Sequence, residues 1–239
     1  MKKVLKRILL VILIVLIILL TWKLSLFFRA RIIENKIAAN FDGDFYRKTV
    51  YDFNDNGVGR IVEEWHGNKY SKMSYSVVGT PAETELGSSY DTWQDNEKGF
   101  KITEKGNKQL EIHYFKEDEK PSIFVLDYSH TLTHFSWDDI KYCFVNGDIW
   151  GTFMQLCIMP FTVINNISTE IIDGKEYYVI KENLLKYTYY VEKDTNLIVK
   201  TVSDMGEDIQ TINYEYSFES ITKESIDFPN LEEYYVIVN

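Results

Sequence analysis

The stretch Asp52–Glu63 reads DFNDNGVGRIVE. Asp52, Asn54, Asn56, Gly57 and Glu63 fall where an EF-hand calcium loop places its first three oxygen ligands, its turn glycine and its closing glutamate. Such a loop works only between two helices, yet RKTVYDF (Arg47–Phe53) is rich in β-branched and aromatic residues that favour extended chain. Gly59 takes a position that is normally aliphatic, and Arg60 brings a cation among the ligands. Only Asp52 and Glu63 supply carboxylates there, and the chain has no second loop to pair with. The segment is therefore read as a β-hairpin closed by Asp55-Asn56-Gly57, with Gly57 supplying a positive φ. In that register Asp52 faces Arg60, Val50 faces Val62, Lys48 faces Glu64, Tyr51 faces Ile61 and Arg47 faces Trp65, so opposite charges and apolar residues meet. A two-residue Asn56-Gly57 loop would oppose Val50 with Glu63 and Asp52 with Ile61.

Other candidate chemistry is sparse. His130 and His134 share a face in SHTLTHFSWDD and, with Asp138 or Asp139, have the residue types of a zinc site. No glutamate lies between them and the stretch is rich in Ser and Thr, so they are read as solvated; His66 and His113 are isolated. Cys143 and Cys157 are either a disulfide or, for Cys157 on an apolar helix, a small buried hydrophobe. Glu63 and Glu64 point to opposite faces of a strand and cannot act jointly. A nucleophile elbow, phosphate loop, metalloprotease helix and dinucleotide fingerprint are all absent from the sequence. The expectation is a non-enzyme with no cofactor and no metal.

The elements around these residues begin at a membrane. Ile8–Trp22 is a charge-free apolar run; at about 1.5 Å per residue it covers about 22 Å of a roughly 30 Å hydrocarbon core. LSLFF (Leu24–Phe28) extends it past Lys23, whose ammonium can snorkel, so the expected span is Val4–Phe28. No small-x-small cleavage site follows Trp22, which favours an uncleaved anchor over a signal peptide. All 36 acidic residues lie beyond Arg31, whereas seven of the 26 basic ones lie at or before it. Lys2, Lys3, Lys6 and Arg7 crowd the N-terminus, which places it in the cytoplasm, with an acidic domain outside the cell membrane. So acidic a surface repels nucleic acid. The expected organisation is an anchor over residues 1–31 and an extracytoplasmic domain over 32–239.

RIIENKIAANF (Arg31–Phe41) continues the helix out of the membrane, and then the period changes. Ile212, Tyr214, Tyr216 and Phe218 alternate with polar residues, as do Leu185, Tyr187, Tyr189 and Val191, the pattern of strands with one buried face. Turn signals stand between such runs: DGK (Asp173–Lys175), EKGNK (Glu104–Lys108) and EKDTN (Glu192–Asn196). One helix, around Asp148–Met159, interrupts them and should stop at Pro160.

Three stretches of the C-terminal third carry a resemblance: STEIIDGKEYYVIKE (Ser168–Glu182), YTYYVEKDTNLIVKTVS (Tyr187–Ser203) and INYEYSFESITKESIDFPNLEEYYVI (Ile212–Ile237). A strand after a Gly turn, a tyrosine strand with an acidic hairpin (Asp194, Thr195, Leu197), and a Tyr-x-Tyr-x-Phe strand leading to Phe228-Pro229 resemble the outer-membrane lipoprotein carrier superfamily of LolA-like and LppX-like half-barrels. Asn196, which tolerates positive φ, stands where that family has glycine. The resemblance implies an α+β, mainly β fold: a curved, unclosed antiparallel half-barrel with a few helices. It further implies an apolar concave face, with Tyr187, Tyr189, Tyr214, Tyr216 and Phe218 as candidates to line it. The function expected on this basis is binding of an apolar ligand, a lipid or lipopeptide, by an anchored extracytoplasmic module. The alternative is a non-enzymatic protein-interaction or envelope-sensing module on the same scaffold.

Overall fold

A computed structural model describes residues 2–53, 59–78, 90–104, 109–115, 132–133, 137–154, 158–183, 186–204, 209–233 and 235–238. The chain is mainly β, an N-terminal apolar helix followed by an unclosed antiparallel sheet and few helices. It divides into two compact units, Met1–Ala39 with Asp127–Ile198, and Asn40–Leu126 with Val199–Asn239.

The first unit is organised by one helix, α1 (Lys2–Ala39). Val4–Leu20 and Trp22 expose their apolar side chains, and this stretch makes α1 long and apolar enough to cross a membrane. From Lys23 onward the same helix is packed into protein. Leu26, Phe27, Ala30, Ile33, Glu34 and Ile37 form one stripe at helical spacing and are all buried. Each large apolar member contributes about 2 kcal/mol on burial. The expected span Val4–Phe28 therefore includes two residues, Leu26 and Phe27, that are packed against protein. Lys23 Nζ donates to the Ile164 carbonyl oxygen at 3.3 Å.

Glu34 is the polar point in that stripe. Its carboxylate, fully buried, accepts from the Leu132 amide (2.7 Å), the Thr133 amide (3.1 Å) and the Thr133 hydroxyl (2.7 Å). Arg31, one turn earlier, closes an ion pair with it at 2.6 Å. A buried carboxylate is tolerated only when its lone pairs are filled in this way.

The described residues are helical at α2 (Trp137–Val145), α3 (Ile149–Phe153) and α4 (Met159–Thr162); the last two stand at the ends of the helix expected around Asp148–Met159, on either side of residues 155–157, and α2 is additional to it. Asp148 caps α3 from outside by accepting the Gly151 amide at 2.8 Å. Pro160 lies in the first turn of α4 and does not stop it, because a first-turn residue has no intrahelical partner for its N–H. Ile140 of α2 packs on Phe27 of α1, and α4 also lies against α1. The strands β7 (Ile164–Ile172), β8 (Lys175–Glu182) and β9 (Tyr187–Glu192) form an antiparallel meander. Asp173 and Gly174 turn from β7 to β8 with φ of 51° and 79°, the two positive values a tight hairpin needs. Asn196 takes φ 54° in the next turn, the role expected of it.

The second unit contains β1 (Phe45–Phe53), β2 (Gly59–His66), β3 (Tyr70–Val78), β4 (Tyr90–Asp95), β5 (Phe100–Glu104), β6 (Gln109–Tyr114), β11 (Ile209–Ser217) and β12 (Tyr235–Val238). The division between the units falls within β10 (Leu197–Asp204), most of which belongs here. Their order is β12-β6-β5-β4-β3-β2-β1-β11-β10, antiparallel except for β12 on β6. Trp93, Phe100, Ile102, Leu110 and Ile112 on one face of β4–β6 form a core with Ile221 and Ile226 from the segment after β11. The Trp93 indole N–H donates to the Ile226 carbonyl at 3.0 Å and fixes that segment over the sheet.

The β1–β2 hairpin is present, and its flanks are strands, which no EF-hand allows; its turn, with Asn54, Asp55, Asn56 and Gly57, lies outside the described residues. Its register is one residue away from the expected one. Tyr46 faces Trp65, Arg47 faces Glu64, Lys48 faces Glu63 and Val50 faces Ile61. The adjacent glutamates Glu63 and Glu64 make either register charge-complementary. The buried Arg47–Glu64 pair, possible only in the observed one, selects it.

Glu34→Ala should cost about 3 kcal/mol, because two amides and a guanidinium lose their acceptor inside the protein. Glu34→Gln should cost about half as much. Denaturant unfolding of the full chain in micelles measures both, and equal stability of Glu34→Ala and the parent would show that the carboxylate does not hold the helix.

Candidate binding site

The five aromatic residues expected to line one apolar face are distributed between the units. Tyr187 and Tyr189 lie on β9, edge to face with ring centroids 5.9 Å apart, and Tyr189 is buried. In the second unit Tyr214, Tyr216 and Phe218 stack in a row along β11 and just past its end, at 6.4 Å spacing. Phe41 covers the end of this row, 5.7 Å from Tyr216 and 6.0 Å from Phe218, and meets Phe45 at 4.8 Å. Much of this aromatic surface is thus spent on itself.

A charged pair shares that face. Arg47, opposite Tyr216 across the β1–β11 ladder, donates from Nε to Glu64 Oε2 at 2.7 Å, and its Nη2 reaches the same oxygen. Both side chains are nearly inaccessible. His66 stacks on Phe45 at 4.5 Å and brings Nε2 to 3.6 Å from Glu64 Oε1. Burial alone would raise the Glu64 carboxyl, but His66 and Arg47 together outweigh it and hold its pKa below the usual range. Burial pushes the Tyr216 hydroxyl far up, against a smaller opposing pull from Arg47, so it stays neutral. The face that bears Tyr214 and Tyr216 therefore carries a fixed, buried ion pair.

A cavity lies on the opposite face. Residues directly across a ladder share a face, and the observed register puts Tyr46, Trp65 and Ser217 together, away from Arg47 and Tyr216. The cavity is a shallow, largely open depression of about 270 Å³ lined by these three residues with Glu219, Ser220, Ile221 and Ser225. Tyr46 and Trp65 form its aromatic floor, ring centroids 5.0 Å apart and tilted by 44°. The floor is rigid. Tyr46 donates its hydroxyl to Glu63 at 2.5 Å, and burial together with that carboxylate raises its pKa beyond reach of titration. Lys72, paired with Asp91 at 3.1 Å, stands over Trp65 at 5.2 Å and over Trp93 at 5.1 Å. Asp44 ties down the surrounding backbone by accepting from the Asn68 amide and the Ile221 amide, both at 2.9 Å.

None of the cavity residues is among the candidates read from the sequence. The one-residue register difference explains why: in the expected register Trp65 faces Arg47, and the Tyr46–Trp65 floor does not exist. His66, read as isolated, has two partners. His130, His134 and Cys157 lie outside the described residues, and among the described residues no group of three or more His, Cys, Asp or Glu could hold a metal ion.

No family model matches the chain, and no curated protein matches it. Among solved structures, an uncharacterized conserved protein from Thermus thermophilus is similar over 88% of this chain and 99% of its own, at 7% identity and a TM-score of 0.46. The Pseudomonas aeruginosa MucA/MucB complex is similar over 87% of this chain and 63% of the matched chain, at 11% identity and a TM-score of 0.42. For a DUF1329 family protein from Desulfovibrio piger the likeness covers 87% of this chain and 97% of that one, at 12% identity and a TM-score of 0.24.

The depressed Glu64 carboxyl makes part of the stability depend on pH. A group whose folded-state pKa lies below its unfolded value stabilises the fold at neutral pH, and that contribution is lost as pH falls through the acid range. Thermal unfolding of the full chain should therefore show a melting temperature that declines at acid pH. Glu64→Gln should melt lower than the parent at neutral pH and show a shallower acid decline. Arg47→Ala should cost about 3–5 kcal/mol by leaving Glu64 charged and buried. An acid decline unchanged in Glu64→Gln would refute the assignment.

Proposed function

We propose that this chain is a membrane-anchored, non-enzymatic interaction module that recognises a segment of a partner protein. In this reading Val4–Trp22 crosses the bilayer: its charge-free run Ile8–Trp22 covers about 22 Å of the roughly 30 Å hydrocarbon core, and the stems of Lys6 and Arg7 extend it while their charges snorkel to the interface. The charges of Lys2, Lys3, Lys6 and Arg7 face the cytoplasm, and the chain from Lys23 onward lies outside. Trp22, half exposed, sits at the interface where tryptophan is enriched.

The observation that carries the reading is the cavity on Tyr46 and Trp65. At about 270 Å³ it falls just below the usual range of about 300–1,000 Å³ for small-molecule sites, and serines and a carboxylate rim it. That suits one or two side chains of a partner: an aromatic or aliphatic group on the Tyr46–Trp65 floor, with donors reaching Glu219 and the serine hydroxyls. It does not suit an acyl chain, which gains nothing from a polar rim. The aromatic residues that a lipid site would use, Tyr214, Tyr216 and Phe218, are packed against one another, with Arg47 and Glu64 buried on the same face.

Photo-crosslinking in native membranes separates this reading from binding of a lipid or lipopeptide. A photoreactive residue at Ser217, on the cavity floor, should give a discrete protein adduct, and one at Tyr214, on the opposite face, should give none. Ser220→Arg, which fills the cavity from its exposed rim, should lower the Ser217 adduct at least about tenfold, the loss of roughly 1.4 kcal/mol of binding. Lipid-mass adducts at Tyr214 or Tyr187, with no protein adduct at Ser217, would overturn the proposal in favour of an apolar-ligand carrier.

A further inference from the structure

The first unit exposes an apolar surface that neither the hydrophobic core nor the cavity uses. Tyr142, Phe144 and Val145 on α2, and Ile149, Trp150 and Phe153 on α3, are 43–84% exposed. Six large apolar side chains crowded between Tyr142 and Phe153 form a patch, not scatter. Across Lys141–Thr162 the sequence holds one cation, Lys141, and one acid, Asp148. The Asp148 carboxylate is occupied by capping α3. This stretch is close to neutral in a chain that is otherwise strongly acidic beyond Arg31.

Its position on the helix identifies what covers it. Both ends of the stretch are rooted on α1 at the turn where the helix leaves its exposed apolar segment. At one end Ile140 packs on Phe27. At the other, α4 lies against α1, and the Ile164 carbonyl just beyond it receives Lys23. Trp22, the last exposed apolar residue of that segment, is one residue from Lys23 and five from Phe27, about 7.5 Å along the axis. An excursion from Ile140 to Met159, rooted within one to two turns of the membrane boundary, lies within reach of the head-group layer. Its composition fits that layer: Tyr142 and Trp150 have apolar bodies with polar tips, while Phe144, Val145 and Ile149 supply area to bury.

We propose that the α2–α3 elbow, from Tyr142 to Phe153, inserts into the outer face of the bilayer beside α1 as a second, monotopic contact. The proposal rests on the reading of Val4–Trp22 as a membrane span. It gives the first unit two points of attachment, one spanning and one lying on the surface, and so fixes its rotation about the α1 axis as well as its height.

The test uses the full chain in nanodiscs, with Cys143→Ala and Cys157→Ala, and an environment-sensitive fluorophore on one new cysteine at a time. Val145→Cys and Ile149→Cys report the elbow; at 81% and 84% exposure they carry a label without disturbing packing. Leu16→Cys reports the span, and Ile171→Cys, 70% exposed at the tip of the β7–β8 hairpin, reports water. Brominated lipid should quench the two elbow labels and the Leu16 label by roughly half, as expected for groups about 5–10 Å or deeper in the bilayer. It should leave Ile171 unaffected and open to iodide. Quenching at Leu16 with elbow labels that behave like Ile171 would overturn the insertion and leave the anchor standing. Elbow labels shielded from iodide yet untouched by brominated lipid would also overturn it, because protein would then cover the patch. Absence of quenching at Leu16 itself would instead contradict the anchor reading.

Discussion

A single buried carboxylate marks where α1 passes from an exposed apolar helix into a folded unit. Glu34 sits in the middle of an apolar helical stripe and is acceptable there only because two amides, a hydroxyl and a guanidinium converge on it. The donors Leu132 and Thr133 are 98 and 99 residues away in sequence, so this one group joins the two separate stretches of chain that make up the first unit. With it in place, α1 runs unbroken from exposed apolar surface into the interior of a folded unit. Other attachments to the helix, Lys23 on Ile164 and Ile140 on Phe27, lie within a few turns of it and depend on the same seating.

The second unit depends on a comparable constraint in its sheet. Arg47 and Glu64 fix the register of β1 against β2, and that register decides which side chains meet on each face. On one face the result is a stacked aromatic row beside a buried charge pair, with Phe218 at its end still 47% exposed. On the other it is a Tyr46–Trp65 floor held rigid by Glu63, Lys72 and Asp91. The cavity follows from register, because a shift of one residue would separate Tyr46 from Trp65 and leave no floor. The same side chains that stabilise the sheet therefore shape the cavity.

Much of the fold is legible in the sequence because its signals are local. The apolar run of α1, its continuation through Arg31–Ala39, the period-two alternation of β9 and β11, and the turn chemistry of Asp173-Gly174 and Asn196 all act within a few residues. Register is not legible, because Lys48 meets a glutamate in either register, Glu64 in the expected one and Glu63 in the observed one, and only the buried Arg47–Glu64 pair distinguishes them. The helical stretch misleads in two ways. Pro160 reads as a terminator although it is equally at home in a first turn, and α2 begins in a segment whose histidines and aspartates suggest chemistry rather than a helix. The cavity is illegible for a third reason: its residues come from β1, β2 and the segment after β11, and no spacing in sequence connects them.

The seating of Glu34 has a mechanical consequence for the first unit. The central claim is that α1 passes from its exposed apolar segment, the proposed span, into that unit without a hinge, so that the two are one stiff element. Hydrogen exchange of the full chain in nanodiscs, read residue by residue from Trp22 to Ile37, tests this most directly. A continuous helix seated by Glu34 predicts slow exchange across the whole interval, with no break at Lys23–Ala30. Rapid exchange confined to that stretch would reveal a flexible tether and contradict the account.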